Sequence, residues 1–146
     1  MGTDGTRAAA AVAAAGLFAA GALHLVWTVS PWPLGSAAEL AEAVVGVTED
    51  QLPPTGLTLA VAGLLGAAGG LVLARPGSGA WVVRAGVWTV SGVLLVRGLG
   101  GLVVSGAGLG EAPEAFRRWD LALYSPLCVA LGGLAGYVAL RARRRG

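Results

Sequence analysis

Apolar residues in this chain fall into four long runs, over residues 8–29, 55–74, 80–104 and 119–140. Polar positions gather between them, in stretches 30–54 and 105–118, around Arg75 and Arg84, and after residue 140. A helix that crosses a bilayer core needs about 20 predominantly apolar residues, and each run is long enough. Lipid offers no hydrogen-bond partner to irregular backbone, so spans of this kind are expected to be helices. The pattern predicts an all-α, four-helix transmembrane bundle forming a single domain over residues 1–146. Ala20-Gly21-Ala22 looks like a signal-peptide cleavage site, but the first run exceeds the 7–15 apolar residues of a signal peptide and is expected to remain as a helix.

Composition agrees with the pattern. Hydrophobic residues make up 55% of the chain and charged residues 12%, against about 25% charged in soluble domains. So few charges cannot cover a soluble surface, which excludes a soluble enzyme and a disordered tail. A lone cysteine, Cys128, excludes a disulfide scaffold. All ten basic residues are arginine, and 25 residues are glycine. That bias points to a GC-rich bacterial genome and hence to a bacterial inner membrane. Arg141, Arg143, Arg144 and Arg145 form a basic tail of the sort that flanks a span on the cytoplasmic side. They are not spread along a face, so no nucleic-acid partner is expected.

Charge also orients the helices. Stretch 30–54 carries Glu39, Glu42, Glu49 and Asp50 and no basic residue, whereas the short stretch near Arg75 and Arg84 is basic. The excess of positive charge on cytoplasmic loops then places both termini and the middle loop in the cytoplasm. Trp27, Trp32 and Trp119 fall at the outer interface and Trp81 at the inner one. In the first outer loop Ser36, with Glu39 three residues on, predicts a capped short helix over residues 37–45. Gly66 with Gly70, and Gly132 with Gly136, are spaced for close helix approach. Pro126 cannot donate a backbone N–H, so the fourth helix is expected to start near Trp119 and kink at the proline, freeing the Ala122 carbonyl.

Four polar side chains share one depth. At 1.5 Å per residue His24, Thr58, Arg97 and Tyr124 all lie roughly 5 Å beneath the outer interface. Asp120 sits just above them. Asp120, Tyr124 and Cys128 follow at i, i+4 and i+8 and are expected on one stripe of an α-helix. An arginine inside a span is costly, at about 2.5–3.5 kcal/mol on insertion scales, so it normally faces the bundle and finds a partner. Asp120 is the expected partner of Arg97. Cys128 is expected to be packing and Arg84 to snorkel to the inner interface. One histidine and one cysteine do not make a metal site. Phosphate-loop and dinucleotide-binding motifs are missing from the sequence, and no cofactor is expected.

Several of these residues carry a resemblance. Residues Ala22-Leu23-His24-Leu25-Val26-Trp27, Arg97-Gly98-Leu99-Gly100, Trp119-Asp120 and Leu123-Tyr124-Ser125-Pro126-Leu127-Cys128 resemble the small bacterial membrane proteins grouped as a domain of unknown function, DUF 3995. The resemblance covers nearly the whole chain. It implies a four-helix membrane protein and brings no activity with it. Small membrane-embedded terpene cyclases are similar in scale and helical character, without a shared motif.

Three functions are compatible with this pattern. In the first, the chain is a non-catalytic helper or lipid-interacting protein, and Arg97–Asp120 is a structural clamp. The second makes it an enzyme acting on a lipophilic, isoprenoid-like substrate, as a terpene cyclase does. Asp120 is then the general acid, His24 or Tyr124 relays the proton, and Arg97, Trp27 and Thr58 line the substrate. These two compete over one contact, because a guanidinium against Asp120 favours the charged carboxylate over the acid. A third is an oligomeric transporter or channel subunit. The expected partners are the bilayer, a lipophilic small molecule, and a second copy or another membrane protein.

Overall fold

The computed structural model describes residues 2–74 and 81–143. The basic residues Arg75, Arg144 and Arg145, and residue 80 at the expected start of the third span, lie outside them. Among the described residues the regular structure is entirely helical. Helix α1 spans Gly2–Trp27, and loop 28–54 carries α2, Ala37–Leu40, continued by a π-turn over Ala41–Val45 and followed by a 3₁₀ turn, Glu49–Gln51. Helices α3 (Thr55–Ala74) and α4 (Trp81–Gly106) come next. The last helix starts as α5, Glu114–Trp119, passes through a π-turn over Asp120–Tyr124, and continues as α6, Ser125–Arg143. Segments Thr3–Trp27, Thr55–Ala74, Trp81–Gly106 and Glu114–Ala142 are long and apolar enough to cross a membrane.

Helix α1 packs on α3 and α6, and α4 packs on α6. Neighbours run antiparallel: Gly16 lies against Leu131, Gly69 against Phe18, and Gly132 against Leu94. The bundle therefore has a termini end, where α1 starts and α6 finishes, and a loop end carrying loops 28–54 and 107–113. Its apolar core lies toward the termini end. Ala10, Ala13 and Leu17 of α1 meet Val72 of α3, Val87 of α4, and Leu131, Ala135 and Val138 of α6. Alanine on facing stripes lets backbones approach closely, so dispersion contacts accumulate between the helices. Outward faces are also apolar, with Val12, Leu64, Val93, Val96 and Val103 all exposed. A soluble protein would not present so large an apolar surface to water.

The seam between α4 and α6 is built from small residues. Ser91, Gly98 and Ser105 are seven apart on α4 and buried. Opposite them stand Ser125, Gly132 and Gly136, also buried. Ser91 Oγ donates to the Gly132 carbonyl at 2.8 Å, and a Cβ on Gly98 would come within 2.8 Å of the Ser125 carbonyl. The expected close packing at Gly132 and Gly136 is thus present. That expected at Gly66 and Gly70 is not, since a Cβ at either would meet nothing within 4 Å. Gly69 holds that place on α3, its missing side chain filled by the Phe18 ring. One residue turns a helix by 100°, enough to change the packed face.

One expectation about the fourth helix needs correction. It begins at Glu114, not near Trp119, because its first turn is polar and a hydropathy limit marks the apolar part of a helix only. Ahead of Pro126 stands a π-turn, closed by the Ser125 N–H on the Asp120 carbonyl, which is where a chain can absorb the donor that proline lacks. The short helix of the first loop is present. Ser36 Oγ accepts the Glu39 N–H at 3.1 Å, and the Glu39 carboxylate accepts the Gly35 N–H at 2.8 Å. Gly46 ends that helix at φ +81°, and a Cβ there would strike the Phe116 ring. The loop thereby docks on the start of the last helix.

Candidate functional site

Where α4 ends and α6 begins, one carboxylate gathers three side chains. Asp120 is 1% exposed, and its Oδ1 accepts a hydrogen bond from Arg97 Nη2 at 2.9 Å. Ser125 Oγ donates to that same oxygen at 2.9 Å. The second oxygen, Oδ2, accepts from Ser105 Oγ at 2.6 Å. Arg97 Nη1 lies 3.5 Å from Ser125 Oγ, which completes a ring of contacts. A charge without partners would be very costly here, and this one is neutralised and bonded on both oxygens.

Each part of the cluster has a local cause. An α-helix would bring residue 124 beside residue 120, but the π-turn brings residue 125 there. Ser125 therefore faces Asp120. Tyr124 turns to the first loop, where its O–H donates to the Ala43 carbonyl at 3.0 Å and its ring lies 6.2 Å from that of Phe116. The expected stripe of Asp120, Tyr124 and Cys128 is broken by the same turn. Gly101 makes room for the cluster on α4. A Cβ there would overlap Ser125 Oγ and lie 2.5 Å from Arg97 Nη1 and 2.8 Å from Asp120 Oδ2. Arg117 supports the cluster from above, donating through Nε and Nη2 to the Ser105 carbonyl, each at 3.3 Å. It stands in for a backbone partner at the end of α4. There the Leu109 N–H reaches back to the Val104 carbonyl at 2.9 Å, and Gly108 takes φ +67°. This is a Schellman-type ending.

The other sequence candidates lie apart from the carboxylate. His24 Nδ1 is 2.8 Å from the Ala20 carbonyl of its own helix, and its ring sits 4.9 Å from that of Trp27. Trp27 Nε1 donates to the Trp32 carbonyl at 3.0 Å. Thr58 is half-buried in the first turn of α3. The arrangement thus unites Arg97 with Asp120 and leaves His24, Trp27 and Tyr124 bonded elsewhere. A cavity of about 180 Å³ is lined by Arg118, Trp119 and Ala122, none of which belongs to the cluster. Sequence reasoning missed Ser105, Ser125, Gly101 and Arg117. The seven-residue spacing of Ser91, Gly98 and Ser105 was the available signal for the first of these.

Residues 15–135, well over half of the chain, match the model of a family described as "Protein of unknown function (DUF3995)", and the chain belongs to that family. No curated protein and no solved structure matches it.

Proposed function

We propose that the chain is a non-catalytic, lipid-interacting protein of the bacterial inner membrane, and that Arg97–Asp120 is the clamp holding α4 to α6 at the loop end. The observation that carries this reading is the state of Asp120. It is buried, in contact with a guanidinium, and hydrogen-bonded on both oxygens. A general acid needs a proton and a line to its substrate, and this carboxylate has its charge stabilised and its oxygens occupied. His24 and Tyr124, the relays an isoprenoid cyclase would need, direct Nδ1 and the phenol O–H at the Ala20 and Ala43 carbonyls instead of at Asp120. The four apolar helices support integration into the membrane. Arg7, Arg84 and Arg141 near the termini end favour a cytoplasmic position for that end, with Trp27, Trp32 and Trp119 at the outer interface.

Asp120→Asn tests the reading. The clamp predicts reduced accumulation and a lowered thermal midpoint of the folded protein, with no separable loss of activity. Full accumulation of the variant, with loss of a lipid-modifying activity of the wild type, would favour the enzyme. A reporter fused to the C-terminus should be active on the cytoplasmic side, and activity on the opposite side would invert the orientation.

A further inference from the structure

Helices α3 and α4 meet near the termini end, where a Cβ on Gly86 would lie 2.9 Å from the Leu71 side chain and Val72 and Val87 are fully buried. Residues seven apart share a helix face with about 20° of drift. Leu57 and Leu64 continue the Leu71 stripe toward the loop end of α3, and both are exposed, at 58% and 70%. On α4 the Gly86 stripe continues through Val93, also exposed, to Gly100, whose added Cβ would meet nothing within 4 Å. Both stripes are thus covered at one end of the bundle and open at the other. Exposed on both helices, these stripe ends define an apolar cleft between α3 and α4 at the loop end.

One polar group stands at the side of that cleft. Arg97 follows Val90 by seven residues on the adjoining stripe, and its side chain is 45% exposed. A guanidinium has five N–H donors. Two point at Asp120 and Ser125, and the other three have no partner among the described residues. The guanidinium lies level with Gly101, five residues short of the end of α4, or about 7.5 Å. The 26 residues of α4 make about 39 Å, against a bilayer core of about 30 Å, so centring the helix puts the guanidinium about 3 Å inside the hydrocarbon boundary. At that depth the hydrogen-bond acceptors a bilayer supplies are lipid oxygens, and a phosphate is the group an arginine fork fits best.

We propose that the α3–α4 cleft seats one glycerophospholipid, its phosphodiester on the free edge of Arg97 and an acyl chain running past Gly100 and Val93 between the two helices. This rests on the membrane reading above and gives it a ligand. The clamp then has a second effect, since Asp120 holds one edge of the guanidinium and leaves the other fixed toward the cleft.

The test is native mass spectrometry of the detergent-purified protein, titrated with phosphatidylglycerol or with diacylglycerol of the same acyl chains. The expected result is retention of phosphatidylglycerol with an apparent affinity about tenfold tighter than diacylglycerol. Gly100→Leu places a side chain in the open space beside the guanidinium. It should abolish that preference while the thermal midpoint holds. Equal retention of the two lipids, a preference that survives Gly100→Leu, or a dimer that excludes both lipids would overturn the proposal. The clamp is read separately, by the thermal coupling of Arg97 and Asp120, so either idea can fail without the other.

Discussion

Ser125 lies five residues beyond Asp120, and its hydroxyl donates to the Asp120 carboxylate at 2.9 Å because a π-turn separates the two. The turn lets a proline-containing helix carry its own hydrogen-bond donor to a buried charge. Ser125→Ala removes that donor and leaves the oxygen to Arg97 alone. The expected cost is about 1.5–3 kcal/mol, the range for a hydrogen bond to a charged group. Thermal unfolding in detergent measures it, and an unchanged midpoint would remove Ser125 from the clamp.

Two adjacent glycines should behave oppositely. A Cβ at Gly101 overlaps Ser125 Oγ and crowds both Arg97 and Asp120, whereas one at Gly100 meets nothing. Gly101→Ala is therefore expected to destabilise the bundle by about 2 kcal/mol or more, since overpacking here also parts the ion pair. Gly100→Ala should be neutral, or stabilising by about 0.5–1 kcal/mol through helix propensity. Paired thermal midpoints decide the matter, and equal effects would contradict the packing described for α4.

Tyr124 ties the first loop to the last helix. Tyr124→Phe keeps the ring against Phe116 and removes the O–H that reaches the Ala43 carbonyl. The expected loss is about 1 kcal/mol, confined to the loop. Hydrogen exchange should quicken for residues 37–47 and stay unchanged in α4 and α6. Uniformly faster exchange would mean that this bond supports the whole bundle.

The ion pair was legible in the sequence because charges inside apolar runs are so few. Arg97 needed a partner, and Asp120 was the carboxylate at its depth. The serines were harder to see, since a single hydroxyl leaves no mark on hydropathy and Ser125 reaches Asp120 through a π-turn. An i, i+4 reading assigned that place to Tyr124. Gly101 was hidden among 25 glycines, and on helices that are apolar all round the periodicity did not distinguish Gly69 from Gly66 or Gly70 as the packed position. The start of the last helix was missed for the opposite reason. Glu114, Arg117 and Arg118 read as loop by polarity, yet Arg117 is held in a helix and bonded to the end of α4.

The central claim is that Arg97 and Asp120 act as a pair in stability. A double-mutant cycle with Arg97→Gln, Asp120→Asn and the combined variant, read by thermal or denaturant unfolding in one detergent, tests it most directly. Arg97→Gln leaves the buried Asp120 uncompensated and is expected to cost about 3 kcal/mol, the low end of the range for breaking a buried pair, and Asp120→Asn, which leaves the half-exposed Arg97, somewhat less. The double variant should then cost clearly less than the sum, with a coupling of about 1.5 kcal/mol or more. Additivity to within about 0.5 kcal/mol would show two independent residues and contradict the clamp.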